Sequence, residues 1–521
     1  MKTFINPILP GFYPDPSICR VKEDYYLVTS SFAYYPGVPI FHSMDLVNWK
    51  QIGHVLDRPS QLPLDGLGQS RGIFAPTIRY NDGVFYMITT NMDGGGNFIV
   101  TATDPCGPWS NPHYLDAQGM DPSLLFDDDG KVYYTGTRPA EEGPKYDGNW
   151  EIWLQELDLQ NMKLIGKPLG LWRGALRGAI WPEGPHLYKI NGNYYLMISE
   201  GGTGPQHAVS VARSSTICGP YVGNPGNPIL THRHLGKNYP IVNVGHCDLV
   251  KTQNGEWWAV ALASRIYGGY YRNLGRETYL VPVIWEDGWP VMSAGTGKVE
   301  LTYNAPNLPE SKVIVPSVCD DFDEDTLNFR WNFIRTPREE FFSLSERKGY
   351  LRLNLRPERI TERVNPSFVG RRQQHIKFSA STLMEFTPLS ENEVAGIVLL
   401  QSNDFNFSFI YTKNGDETVI RLIKCTDGDE KIIAEKALRG TNLYLKVEAD
   451  GQDYSFYYGE SLEKCRVLIE NVDGRILSTD VAGGFVGTEI GLYASSNGIK
   501  SDNKAYFDWF KYYGEDGFNN D

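Results

Sequence analysis

The chain has 521 residues, room for two to four domains at roughly 100 to 200 residues each, and its 41% apolar and 21% charged content excludes a disordered polymer. Its formal net charge of -14 creates a field that repels phosphate backbones and anionic lipid headgroups, so neither nucleic acid nor a membrane surface is an expected partner. Aromatic residues make up 13%, a loading suited to β-rich cores and to surfaces that stack on flat ligands.

The N-terminal stretch from Met1 to Pro10 lacks the apolar core of about 7 to 15 residues and the small-residue cleavage site of a secretory signal. A cytoplasmic location is therefore expected, although a secreted form trimmed of its signal would read the same way. No run of about 18 apolar residues occurs that would cross a bilayer as a helix. The seven cysteines are scattered without a CxxC pair, which suits reduced, buried thiols and speaks against a structural zinc site.

From Asp15 onward one pattern recurs five times, opening at Asp15, Ala75, Asp121, Gly184 and His246, with steps of 60, 46, 63 and 62 residues. Each copy reads as a short strand, a polar turn and an aromatic strand. Asp82-Gly83, Asp129-Gly130, Asn191-Gly192 and Asn254-Gly255 supply the positive φ that tight hairpins need. The spacing leaves room for about four strands per unit, and five such units arranged radially make a five-bladed β-propeller. A weaker repeat, Ser43 to Trp49, Thr103 to Trp109 and Ser215 to Tyr221, reads as turns into outer strands. No stretch keeps a 3.6-residue apolar period for about 12 residues, so helices are expected to be few and short.

The propeller is expected over residues 1–301. Residues 302–318 have the Pro-rich, polar character of a linker, and a second domain is expected over 319–521. There, alternating runs such as Tyr350 to Leu355, Gly396 to Leu400, Leu443 to Glu448 and Tyr506 to Tyr512 predict an antiparallel β-sandwich, so the fold class is all-β.

In a propeller the innermost strands crowd the axis, so the residues that open the repeats, Asp15, Ala75, Asp121, Glu183 (one before Gly184) and His246, are expected to ring one end of the channel. Ionised groups there suffer desolvation and repel one another. One Asp before Pro reads as a turn cap, but three acids in register with a repeat point to chemistry. A carboxyl pair across a cleft is what hydrolysis of a glycosidic bond requires: a protonated acid for the leaving oxygen and an ionised base for water. Phe32, Tyr34, Tyr35, Phe74, Trp181, Tyr267, Tyr270 and Tyr271 are candidates to stack on sugar faces, each also explicable as blade packing.

Asn6 to Ser17 with its Tyr13-Pro14-Asp15-Pro16-Ser17 core, Thr29 to Ser43, Asp121-Pro122-Ser123-Leu124, Glu183-Gly184-Pro185-His186 and Leu274-Gly275-Arg276-Glu277-Thr278 resemble glycoside hydrolase family 43, in its β-xylosidase and α-L-arabinofuranosidase branch. The resemblance covers the whole chain and implies that the second domain is a concanavalin-like sandwich. It implies an inverting, exo-acting enzyme with Asp15 as general base, Glu183 as general acid and Asp121 raising the acid's pKa. Arg276 would bind substrate hydroxyls, Phe32 would pack on the sugar, and Phe485 in Gly483-Gly484-Phe485-Val486-Gly487 would reach in from the sandwich to close the pocket. His246 would lie at the axis, where relatives often hold a calcium ion or its water shell; no cofactor is required for the chemistry. Phe74 stands where these xylosidases usually carry Trp, and Trp181-Pro182-Glu183-Gly184 replaces a less aromatic segment, so activity on both xylose and arabinose linkages is expected. The partners are then small xylo- and arabinoxylo-oligosaccharides, with assembly as a homo-oligomer left open.

Weaker motifs have bland explanations. Gly295 to Lys298 lacks the Ser or Thr and the upstream Gly of a phosphate loop, Asp127 to Gly130 has contiguous acids where a calcium loop alternates them, and Gly94 to Gly96 reads as a loop. His42, His207 and His234 have no metal-ligand spacing, and Asp320, Asp321, Asp323 and Asp508 read as a solvated acidic turn. The competing functions are an endo-acting arabinanase with an open groove and a sugar-binding propeller without chemistry, which would not require three convergent acids.

Overall fold

The computed structural model of the chain describes residues 2–176, 178–312, 317–461 and 463–515. Residues 313–316 of the expected linker and 516–521 of the expected second domain therefore lie outside the described residues.

Five antiparallel sheets of four or five strands follow one another from Ser17 to Met292. Their innermost strands are Ser17–Val21, Thr77–Asn81, Met120–Phe126, Glu183–Ile190 and Ile241–Lys251. The turn chemistry read from the sequence is realised: Asn81 faces Val84 across Asp82-Gly83 with φ of 48° and 83°, and Ile190 faces Asn193 across Asn191-Gly192 with φ of 50° and 80°. Such two-residue turns match the twist of the strands they join. Each innermost strand contacts the next, and the fifth contacts the first, so the sheets close radially into the expected propeller. Thr3–Ile5 pairs antiparallel with Thr302–Asn304, which makes the first residues of the expected linker a strand that ties the two ends of the propeller together.

The axis is filled by one layer of polar side chains. Asp248, fully buried on the fifth sheet, accepts from Arg79 of the second at 2.8 Å, from Ser17 of the first at 2.7 Å and from Tyr188 of the fourth at 2.7 Å. Arg79 also donates to His186 Nδ1 at 2.9 Å, and Ser123 of the third sheet lies 3.2 Å from the same atom. All five sheets thus meet in one hydrogen-bonded knot. Although burial pushes the Asp248 carboxyl up, the Arg79 charge and these hydrogen bonds hold it well below the usual range, while burial pushes His186 down to about 3.

The second domain packs two antiparallel sheets face to face, one of eight strands and one of six, over a dense apolar core. Its only helical pieces among the described residues are Gly474–Leu477 and Thr479–Ala482. A separate apolar cluster joins the two domains: Phe12, Phe32 and Tyr34 of the propeller pack with Ile334, Phe368, Val398 and Val486 of the sandwich. Backbone pairing joins them too, since Phe333–Ile334 adds to Tyr34–Tyr35 as an antiparallel strand. Arg335, 1% exposed, donates to Leu67 O at 2.6 Å, Val364 O at 2.7 Å and Asn403 Oδ1 at 2.9 Å, and is the polar pin of this seam. All seven cysteines are free.

The axial knot yields a stability prediction. Asp248→Asn keeps the shape but leaves Arg79 buried without its counter-charge, and is expected to cost about 3 to 5 kcal/mol in urea unfolding. Adding Arg79→Met should recover most of that loss; equal losses in the single and double variants would show that the charge pair is not the cause.

Candidate active site

Each carboxylate reaches the mouth of the channel through the same backbone device. The residues opening the repeats bend into the left-handed region, with φ of 54° at Asp15, 52° at Asp121, 57° at Gly184 and 46° at His246. The strand pairing slips between Met120 and Ser123, between Glu183 and His186, and between Gly245 and Asp248. Such bulges re-aim a side chain. In Asp121-Pro122 and Gly184-Pro185 the second residue has no N–H, so the bulge leaves no ladder donor stranded. A non-glycine residue in this conformation costs roughly 1 to 2 kcal/mol, strain that recurs at functional sites.

Asp15, 4% exposed, is held by a complete set of donors: Ser30 Oγ at 2.6 Å, and Arg276 Nη1 and Nη2 at 2.9 and 3.2 Å. His246 Nδ1 stands 3.7 Å away. Burial alone would raise its pKa, but Arg276, His246 and the Ser30 hydroxyl together bring it below the ordinary value, so Asp15 is ionised at neutral pH.

The other two acids are pushed the opposite way. Burial, and then the charge of Asp15, raise Asp121 to about 6 against the pull of His246 and of the Gly184 N–H, which donates to it at 3.2 Å. Glu183 is raised well above the usual range by burial and by the charges of Asp121 and Asp15, with Arg276 opposing. No described group donates a hydrogen bond to its carboxyl, and His207 Nε2 lies 4.0 Å from Oε1. The site thus contains one carboxyl fixed as the anion and one kept as the acid.

A wall of aromatic rings adjoins these groups. Phe32 packs 5.1 Å from Phe74 and 6.0 Å from Phe485, and the Arg276 guanidinium lies 5.5 Å from both Phe32 and Phe485. Phe485 belongs to the sandwich and enters on a glycine-rich loop whose backbone runs against the propeller. A Cβ on Gly487 would come within 2.6 Å of Leu274 O, one on Gly484 would collide with Ser70, and the Phe485 N–H donates to Ser70 Oγ at 2.8 Å. The Gly483-Gly484-Phe485-Val486-Gly487 motif is therefore a close-approach device that delivers a ring.

The roles read from the sequence acquire different weights. Phe32, expected to face the sugar, is only 1% exposed behind Phe74 and Phe485, both half-buried, so these two rings carry the accessible aromatic surface. Arg276 spends Nη1 and Nη2 on Asp15 and donates Nε to Phe485 O at 3.3 Å, so it couples the ionised acid to the sandwich loop. His246 lies beside Asp15, and a Cβ on Gly184 would come within 2.9 Å of its ring. Calcium was expected there, yet among the described residues no group of three or more His, Cys, Asp or Glu side chains can hold a metal. Both Asp15 oxygens are already taken, and an imidazole suits a hard cation poorly, so these residues do not fit a protein-ligated calcium ion. On the sandwich, Asp320 caps its own turn through Phe322 N and Trp331 Nε1.

His207, which has no metal-ligand spacing in the sequence, lies beside Glu183, and Ser17, Ser123, His186 and Asp248, given no role by the sequence, lie under the acids. The latter had a signal: each lies two residues after the opening of a repeat, on the same side of its strand. A cavity of about 630 Å³ lined by Tyr13, Trp49, Arg330, Trp331 and Arg371 lies at another part of the seam, and none of the three carboxylates lines it.

Residues 4–290 match the model of glycosyl hydrolases family 43, and residues 319–513 that of the β-xylosidase C-terminal concanavalin A-like domain. The chain belongs to glycosyl hydrolase family 43. It is 51% identical to a xylosidase/arabinosidase of Butyrivibrio fibrisolvens over 97% of this chain and 98% of that one. It is 41% identical to a non-reducing end α-L-arabinofuranosidase of Bacteroides ovatus over 98% of this chain and 95% of the relative. Among solved structures, a xylan β-1,4-xylosidase from Bacillus halodurans superposes with a TM-score of 0.92 at 36% identity, covering 98% of this chain and 99% of that one. The family makes the protein a glycoside hydrolase, and the concanavalin-like identity of the sandwich accords with the sheets described above.

Two predictions follow from the electrostatics and the backbone. Asp121→Asn removes a negative charge that holds the proton on Glu183, so the alkaline limb of kcat/KM should move to lower pH by about one unit; an unmoved limb would leave Asp121 an orienting role only. Gly184→Ala places a methyl against His246 at a left-handed position, so urea unfolding should lose about 1 to 2 kcal/mol and kcat/KM should fall roughly tenfold or more.

Proposed function

We propose that this glycoside hydrolase releases single β-D-xylose and α-L-arabinose units, with inversion, from the non-reducing ends of xylo-oligosaccharides and arabinoxylo-oligosaccharides, in a pocket at the mouth of a five-bladed propeller. The observation that carries the reading is the division of labour among three buried carboxyls: Asp15 is held ionised by Arg276 and Ser30, while Glu183 is held protonated by burial and by its acidic neighbours. Asp15 takes a proton from a water molecule as that water attacks the anomeric carbon. Glu183 gives its proton to the glycosidic oxygen as the bond to the leaving sugar breaks. Proton count balances: one leaves the water, one leaves Glu183, and the next cycle begins when the Asp15 proton returns to Glu183 through solvent.

The environment of each acid supports its role. A base must stay ionised, and Asp15 is the acid with three donors; an acid must keep its proton at neutral pH, and Glu183 is the one with none. Exo action is supported by the Phe485 loop, which crosses from the sandwich and narrows the open face of the propeller beside Arg276. The substrate class is supported by the relatives named for xylosidase and arabinosidase activity. Phe74 adds to this reading, because a ring smaller than Trp leaves space for a furanose or a pyranose against the same wall.

The acid assignment is tested by leaving groups. Glu183→Ala should lose on the order of a hundredfold to ten-thousandfold on xylobiose but far less on an aryl xyloside with an acidic phenol, which needs little protonation. Equal losses on both would remove Glu183 from that role. The first sugar released should show inverted configuration by proton NMR, and xylohexaose should yield xylose from the first time point. Early xylotriose without monomer would favour an endo-acting groove.

A further inference from the structure

His207 opens the third strand of the fourth sheet, at the edge of Ala208–Ser214, and its ring crosses to the fifth sheet. Its backbone is pinned on both sides: its N–H donates to Gly204 O at 3.0 Å and its carbonyl accepts from Thr231 Oγ1 at 2.8 Å. The ring passes over Gly245, where any Cβ would collide with three of its atoms, so the glycine is what lets the ring lie there. Its Nδ1 is 2.9 Å from the carbonyl oxygen of Asn243. A carbonyl only accepts, so Nδ1 carries the hydrogen.

That contact decides the chemistry of the other nitrogen. In the neutral ring Nε2 is then a bare lone pair. It is buried, it has no hydrogen-bond partner, and it stands 4.0 Å from Glu183 Oε1. A second proton is disfavoured, since burial, then His246 and Arg276, push the ring down to about 4, with Asn243 O and Asp15 opposing. An unsatisfied buried acceptor is costly, and the group set before it at 4.0 Å is the Glu183 carboxyl, whose protonated form has a hydrogen to give.

Resting on the assignment of Glu183 as the general acid, we propose that His207 is its positioning residue: a neutral acceptor, fixed in tautomer by Asn243, that receives the Glu183 O–H in the resting enzyme. A small turn of the Glu183 carboxyl closes the 4.0 Å gap, and the reverse turn aims the same O–H at the glycosidic oxygen when substrate enters. No bond is made or broken at His207. Once Glu183 has lost its proton, a carboxylate facing a lone pair gains nothing from His207, so the ring favours the protonated acid. The charged and titratable groups facing Glu183 are then Asp121, Asp15, Arg276 and His207, and of these His207 is the neutral acceptor with a lone pair that no other group takes.

The test separates the two ring nitrogens in the full-length enzyme. Asn at 207 can keep a donor near the Nδ1 position and lacks Nε2, whereas Gln reaches the Nε2 position with an amide oxygen. For xylobiose, His207→Asn should move the alkaline limb of kcat/KM to lower pH by about one unit. His207→Gln should return most of that shift. Nitrogen-15 NMR of the wild-type histidines should show a neutral His207 with its hydrogen on Nδ1. An unmoved limb in His207→Asn, equal limbs that differ from wild type in both variants, or a hydrogen on Nε2 would each overturn the proposal; the NMR readout stands even where a variant fails to fold. Glu183→Ala assayed alongside with xylobiose and an aryl xyloside isolates the underlying assignment: equal losses there refute the acid itself, whereas unequal losses with an unmoved His207→Asn limb refute only the positioning.

Discussion

The contact on which the rest of the architecture depends is the ion pair between Asp248 of the fifth sheet and Arg79 of the second, closed across the propeller axis at 2.8 Å. Two buried charges are expensive to desolvate and are worth keeping only where the geometry is complete. Here Ser17, Tyr188 and the Ile18 N–H supply the remaining donors to Asp248, and His186 takes the other arm of Arg79. Because every sheet contributes to the knot, no sheet can shift along the axis without breaking a buried hydrogen bond. The acids sit one step up the same strands, so the register of the acid layer is inherited from the structural layer beneath it.

The two layers use the same kind of charge for opposite ends. Asp248 is satisfied on every side and is structural. Glu183, about six-sevenths buried, lacks donors and sits among other acids, so its free energy is lowered by holding a proton. Asp15 lies between these extremes, bonded like a structural carboxylate but placed at the mouth. The opposite pKa shifts of Asp15 and Glu183 are thus made largely by donor count and burial over a few ångströms of one channel.

Arg276 extends this electrostatic plan to the second domain. Its guanidinium bonds Asp15, lies against the rings of Phe32 and Phe485, and donates to the Phe485 carbonyl. The ionisation of Asp15 and the position of the sandwich loop therefore share one side chain. With Phe12, Phe32 and Tyr34 embedded among sandwich residues, the pocket wall is continuous with an interdomain core, which is why the sandwich is part of the site's construction and not an appended module.

A large part of this was legible in the chain. Repeats with a fixed sequence of strand, glycine turn and aromatic strand determine a radial stack of sheets, because such hairpins can bury their faces only against their neighbours, and the three acids in register with the repeat marked the mouth. The family resemblance directed attention to Phe485, but the close backbone approach of Gly484 and Gly487 became visible only in the fold. What the tertiary structure alone decided is how atoms from different sheets divide their hydrogen bonds. Nothing local to Arg276 says that it will bond Asp15, 261 residues away. Nothing local to Phe32 says that it will be sealed behind Phe74 and Phe485, or to His207 that Asn243 will fix its tautomer beneath Glu183. Strand periodicity specifies which face a side chain occupies, whereas partner, desolvation and protonation state depend on which distant groups arrive at the same few ångströms, and only the closed ring and the docked sandwich bring them there.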